Sequence, residues 1–112
     1  MSDYQDKHTA MLRLMLLELL EKAPGYAAPE RLLQEQLESQ AMVISIDRVR
    51  TELTWLMEQG LVEYISVTVI LTDRGVDAAK GRADVPGVQR RPPGGVIGTG
   101  CSLLAQRLRG GS

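Results

Sequence analysis

The residues best equipped for chemistry lie between positions 45 and 54: Ser45, Arg48, Arg50, Thr51 and Thr54. Their chemistry is hydrogen bonding to nucleic acid. An arginine fork matches the O6/N7 edge of guanine or a backbone phosphate, and threonine serves base edges or sugar-phosphate oxygens. Ser45 stands where a helix would start, a position suited to a phosphate because the first N–H groups are unpaired there. Residues 45–59 also carry Asp47, Glu52 and Glu58, and no Lys or Arg follows between positions 62 and 71. Phosphate neutralisation normally dominates affinity for DNA, so a protein-binding role for this segment stays open beside the DNA-binding one.

Other chemistry is poorly provided for. His8 is the one histidine and Cys101 the one cysteine. A Ser-His-Asp arrangement would have to use His8, which has no nucleophile motif near it. A metal site built from one His, one Cys and scattered carboxylates falls short of the usual ligand count. The pairs Glu18/Glu21 and Glu35/Glu38 have helical spacing on polar faces and read as solvating charge. Gly94–Gly100 lacks the Gly-Lys-Ser/Thr of a phosphate loop. The expectation is a protein that is no enzyme and holds no cofactor or metal.

The elements that must position residues 45–54 are legible from periodicity. Leu12, Leu16, Leu19 and Leu20 recur at helical spacing over 8–22, with Met11, Met15 and Leu17 widening the apolar face. A face that wide fits a domain centre, a dimer contact, or both. Pro24-Gly25 ends the helix. Pro29 suits the first turn of a second helix carrying Leu32, Leu33 and Leu37. Ser45 is an N-cap for a third helix, in which Ile46, Val49, Leu53 and Leu56 form the inward stripe and Gly60 the stop. Trp55 beside that stripe reads either as an exposed contact residue or, with more support, as packed under the strands that follow. Residues 61–72 are dense in β-branched types and long enough for a hairpin with its tip near Ser66. Thr72 can cap a short helix from Asp73 to about Lys80.

Three helices followed by a hairpin give the predicted fold: mainly α with a small antiparallel β-hairpin, a winged helix-turn-helix over residues 5–82. Such a domain lays its third helix in the major groove and its hairpin beside it. Residues 83–112 read as a basic, Gly/Pro-rich and largely disordered tail. Residues 1–79 carry seven basic and thirteen acidic side chains, whereas residues 80–112 carry six and one. That polarity puts Arg90 and Arg91, with the other tail arginines, in a position to add phosphate affinity, although a merely solvated tail has the same composition. Met11–Leu20 is too short to span a bilayer and contains Arg13 and Glu18. A lone cysteine fits a reducing cytosol.

The segment Ser45–Val62, with its Trp55-Leu56-Met57-Glu58-Gln59-Gly60-Leu61-Val62 end, resembles a winged-helix segment of proteins from Mu-like phages and prophages. Leu71–Ala79 followed by Val85-Pro86-Gly87-Val88 is similar to the ending of the same family. The resemblance covers most of residues 10–92 and excludes 96–112. Proteins of this kind are often labelled ArsR-like transcriptional regulators. The resemblance therefore implies phage origin and a winged helix, whereas the expectation of a transcriptional regulator in the host cytoplasm, a homodimer on double-stranded DNA, rests on the winged-helix architecture itself. The metal sensing that the label suggests is not implied, since no cysteine cluster is present.

Overall fold

The structure is a computed structural model that describes residues 3–90. Helix α1 (Asp3–Lys22) leads into one 3-10 turn (Pro24–Tyr26) and a short strand β1 (Ala27–Pro29). Helices α2 (Glu30–Ser39) and α3 (Ile46–Glu58) follow, then strands β2 (Val62–Ile65) and β3 (Thr68–Leu71), and finally helix α4 (Asp73–Ala79). The three strands form one antiparallel sheet in the order β1-β3-β2. This is the winged helix-turn-helix arrangement, with β2 and β3 as the wing.

The predicted hairpin gains a third strand. Ala27, Ala28 and Pro29 pair with Ile70, Val69 and Thr68. Ala-Ala-Pro has almost no strand preference, and Pro is tolerated in a strand only at an edge. The free edge of β3 makes this segment a strand. As a result Pro29 precedes α2 instead of opening it, and the Glu30 N–H donates to the Val67 carbonyl. The hairpin tip does fall at Ser66, whose φ of 60° makes the tight turn between the two four-residue strands.

Helix α1 is the centre of the core. Leu12, Leu14, Leu16, Leu17 and Leu20 are all buried, and the helix touches α2, α3, β3 and α4. Most of its wide apolar face is thus covered by its own chain, with Met11 left exposed and Met15 and Leu19 partly buried. Leu33 and Leu37 of α2, Val49, Leu53 and Leu56 of α3, and Val69 and Leu71 of β3 pack into the same interior. Aliphatic side chains fill it without a phenylalanine.

Packing continues past residue 82, where the sequence predicts that the tail starts. Val85 and Val88 are buried with the core, and the Gln89 N–H donates to the Ala10 carbonyl of α1. Residues 83–90 form a strap across α1. Glycine and proline give them the appearance of a linker, but their two valines supply the apolar area that holds them down. The rest of the expected tail, residues 91–112, lies outside the described residues.

Three helices end in the same way. After α2, α3 and α4 the chain turns through a left-handed residue: Ala41, Gly60 and Gly81, with φ of 65°, 78° and 82°. In each case the next N–H reaches back to a carbonyl in the last turn: Met42 to Leu37, Leu61 to Leu56, and Arg82 to Asp77. This is the Schellman closure, which satisfies orphaned carbonyls and folds an apolar residue back on the helix. Buried Met42 and Leu61 are those residues. At the corner between α2 and α3 the left-handed position is an alanine, whose Cβ costs about 1–2 kcal/mol in that region. Ala41→Gly should therefore raise stability by about 0.5–1 kcal/mol, after allowing for the extra freedom of glycine in the unfolded chain. Urea denaturation checks it, and an unchanged or lower midpoint would contradict the strain assigned to Ala41.

Candidate nucleic-acid interface

Helix α3 is set by its ends and by two carboxylates. Ser45 caps it, its hydroxyl accepting from the Arg48 N–H at 3.1 Å. Val49, Leu53 and Leu56 seat one side in the core. The opposite side, Asp47, Arg50, Thr51, Thr54 and Glu58, is exposed. Arg50, Thr51, Thr54, Trp55 and Glu58 border a shallow depression of about 420 Å³ on that face. Thr51 donates its hydroxyl to the Asp47 carbonyl at 2.9 Å, one turn back, leaving the oxygen lone pairs to other donors.

Arg48 does not share this outer face, contrary to the placement expected from the apolar stripe. It is half-buried, its Nε donating to Glu52 at 2.8 Å and its Nη2 to the Thr9 hydroxyl at 2.8 Å. The reason is Glu52, which is only 4% exposed. A carboxylate withdrawn from water needs charged partners, and it takes two: Arg48 on one oxygen and Arg13 of α1 on the other, at 2.6 Å. Arg13 also lies over the Trp55 ring, 3.7 Å from its centroid, a cation–π contact.

Trp55 is partly buried and packs against Arg13 and the strap, contacts that the expected burial under the hairpin does not name. Gly87 of the strap has φ +94° and comes so close that a Cβ would stand 2.8 Å from the indole. Its carbonyl accepts from Arg13 Nη1 at 3.0 Å.

The second carboxylate, Glu30 at the start of α2, is 7% exposed. It accepts from Arg50 Nε at 2.9 Å and from the Tyr64 hydroxyl of β2 at 2.9 Å. One side chain thereby links α2, α3 and the wing. Burial first, and then the hydrogen bond to and negative charge of Glu30, push the Tyr64 phenol well above its ordinary value of 10.0. Glu30 raises the already high value of Arg50, chiefly through the hydrogen bond.

Of the residues predicted to meet DNA, the fold brings Arg50, Thr51 and Thr54 together on one exposed face, with Ser45 at its end. It turns Arg48 away. Arg90 is exposed and donates from Nε to the Gly81 carbonyl at 3.1 Å, whereas Arg91 lies outside the described residues. The outer face is not positive. Asp47 and Glu58 are exposed there, and Arg50 is already shared with Glu30. Arg13, Glu30, Glu52, Tyr64 and Gly87 are site residues that periodicity and motif do not pick out. The four-residue spacing of Arg48 and Glu52 is a usable signal; nothing marks Arg13, 39 positions from Glu52.

The chain is 43% identical over 70 residues to the uncharacterized protein gp26 of Escherichia phage Mu, a match covering 59% of this chain and 73% of that protein. It is 47% identical over 49 residues to an uncharacterized protein of Haemophilus influenzae, covering 44% of this chain and 47% of that one. No protein-family model matches the chain, and no solved structure does. Among the described residues no helix is long and apolar enough to cross a membrane.

Two outcomes test this geometry. Glu52→Gln should lower stability by about 1–3 kcal/mol, since the charged acceptor serving two guanidiniums is removed, whereas Glu58→Gln on the exposed face should stay within about 0.5 kcal/mol. Equal midpoints for the two variants in urea would remove Glu52 from its central place. The phenol supplies the second outcome. Because folding raises the Tyr64 value, its stabilising contribution is complete below pH about 10 and disappears as pH climbs through the folded-state value. Absorbance at 295 nm should show one of the three tyrosines ionising at higher pH than the other two, and that late step should vanish in Tyr64→Phe.

Proposed function

The chain belongs to the family of the phage Mu protein gp26, and from that membership and its winged-helix architecture we propose that it is a phage DNA-binding protein. It would act in the host cytoplasm as a transcriptional regulator. The observation that carries this reading is the uncovered polar face of α3. Buried Glu52 and Glu30 orient the helix from either side, and nothing among the described residues packs over Arg50, Thr51 and Thr54. A helix held that firmly with its outer side bare suits a recognition element.

The labour is divided. Arg50 and the two threonines supply base contacts, for which they have the right donors and acceptors. Phosphate affinity falls to the basic C-terminal part, including Arg90 and Arg91, because the wing has no Lys or Arg. Two copies reading two half-sites would suit a regulator of this fold.

A second reading is favoured by one observation, the charge of the outer face. Asp47 and Glu58 around Arg50, with Ile65 and Val67 at the wing tip 61% and 60% exposed, suit a protein partner better than a polyanion. On that reading the chain is a winged-helix adaptor that does not touch DNA.

Fluorescence anisotropy on phage-genome fragments and random duplex, across a salt series, separates the two. The full chain should bind selected fragments, and Arg50→Ala should weaken that by about 1–3 kcal/mol with less effect on random duplex. Removing residues 91–112 should flatten the salt dependence by roughly one unit of slope for each phosphate that is no longer neutralised. The cut belongs after Arg90, since a cut after Arg82 would also remove buried Val85 and Val88. No binding to any duplex at low salt would sink the regulator reading and leave the adaptor.

A further inference from the structure

A cavity of about 730 Å³ lies on the flank of α3 that the outer face does not use. The N-terminal half of α1, the first turns of α3 and the strap line this part-open hollow, and Thr9, Arg13, Arg48 and Glu52 are in its wall. Its size is that of small-molecule sites.

The wall is rich in N–H donors. Arg13 and Arg48 converge on one carboxylate, each giving Nε to a different oxygen of Glu52. The trio therefore carries one formal positive charge. Each guanidinium has five N–H groups. Arg13 gives a second to the Gly87 carbonyl and Arg48 a second to the Thr9 hydroxyl, so three N–H groups of each are not engaged by Glu52, Gly87 or Thr9. The side chains are 17% and 38% exposed, open enough for a ligand to reach and withdrawn enough for screening to be incomplete. The Thr9 hydroxyl, an acceptor for Arg48, can turn its own hydrogen toward a ligand. Asp6 at the rim limits the negative charge a ligand can bring, favouring a compact anionic group over a long polyanion.

We propose that this cavity binds a small oxyanion, a phosphate or carboxylate group held between Arg13 and Arg48 with Thr9 beside it. The group would belong to a free small molecule or to a DNA backbone phosphate, and both offer the same oxygens to the same forks. Occupancy would bear directly on α3, because Arg48 and Glu52 are one turn apart on it. The site also has a built-in reporter. Arg13 stacks on Trp55, the one tryptophan of the chain, so an anion drawing on Arg13 changes the charge over the indole.

The test uses the full chain and inorganic phosphate, titrated at constant ionic strength against chloride while Trp55 emission is followed. The expected result is a saturable change with half-saturation at about 1–10 mM, the range for a few charge-assisted hydrogen bonds in a part-open site. Arg48→Ala should move the midpoint at least roughly tenfold higher, and Thr9→Val, which keeps every charge, should weaken binding about two- to fivefold. If Arg48→Ala does not fold, the Thr9→Val shift decides alone. Adding duplex DNA then identifies the source. Competition with phosphate assigns the cradle to backbone phosphates, and independent binding, or no DNA binding at all, assigns it to a free molecule. The second outcome survives failure of the DNA-binding reading. A flat emission curve up to 50 mM, about five times the upper expected midpoint, or the same curve in wild type and Thr9→Val, overturns the proposal.

Discussion

Glu52 is the constraint on which the arrangement of this domain turns. It sits on α3 facing inward, almost without solvent, and a carboxylate there is tolerable only when paired and hydrogen-bonded. Arg48 answers from one turn away on the same helix, and Arg13 answers from α1. The Arg13 contact decides the fold geometry. It fixes the rotation of α3 against α1 and carries a guanidinium over Trp55. It also gives the strap a donor at the Gly87 carbonyl. Apolar contacts are non-directional and would allow several rotations of α3. Paired charges at 2.6–2.8 Å select one.

Glu30 plays the corresponding part on the other side. Its bonds to Arg50 and Tyr64 tie the beginning of α2 to the middle of α3 and to the wing. The two acids together explain why the arginines of α3 are less available than their number suggests. Arg48 is turned to the inner flank, and Arg50 is shared even though half of its side chain is exposed. The same residues that hold α3 in place lower its positive charge. A protein of this design would bind DNA with modest non-specific affinity through its body and would depend on other basic segments for the rest.

The strap adds a connection that no helix provides. Val85 and Val88 are buried, Gly87 fits against Trp55 where no Cβ could, and Gln89 bonds to α1. It closes one side of the cavity beside Arg13 and Arg48. The C-terminal segment is thereby brought against α1 and α3 before it continues toward Arg91. Its contribution to the site is through position, since it places backbone oxygen and a close contact where the two helices meet.

The amino-acid sequence by itself determined the element order. Leucine spacing located α1, Ser45 and Thr72 marked helix starts that both proved to be hydroxyl caps, and the β-branched run formed the wing with its turn at Ser66. These signals act over a few residues, where side-chain type alone sets the local preference. The sequence also showed Arg50, Thr51 and Thr54 to be off the apolar stripe. What only the tertiary structure decided were relations between distant positions: strand β1, made from Ala-Ala-Pro by the free edge of β3; the strap, made from a linker-like stretch by two valines; and the inward turn of Arg48. The breadth of α1, open to a dimer reading, became the centre of one chain. In each case the deciding partner lies far along the sequence, as Arg13 does from Glu52, and burial of a charge or an edge is defined only once the chain has folded around it.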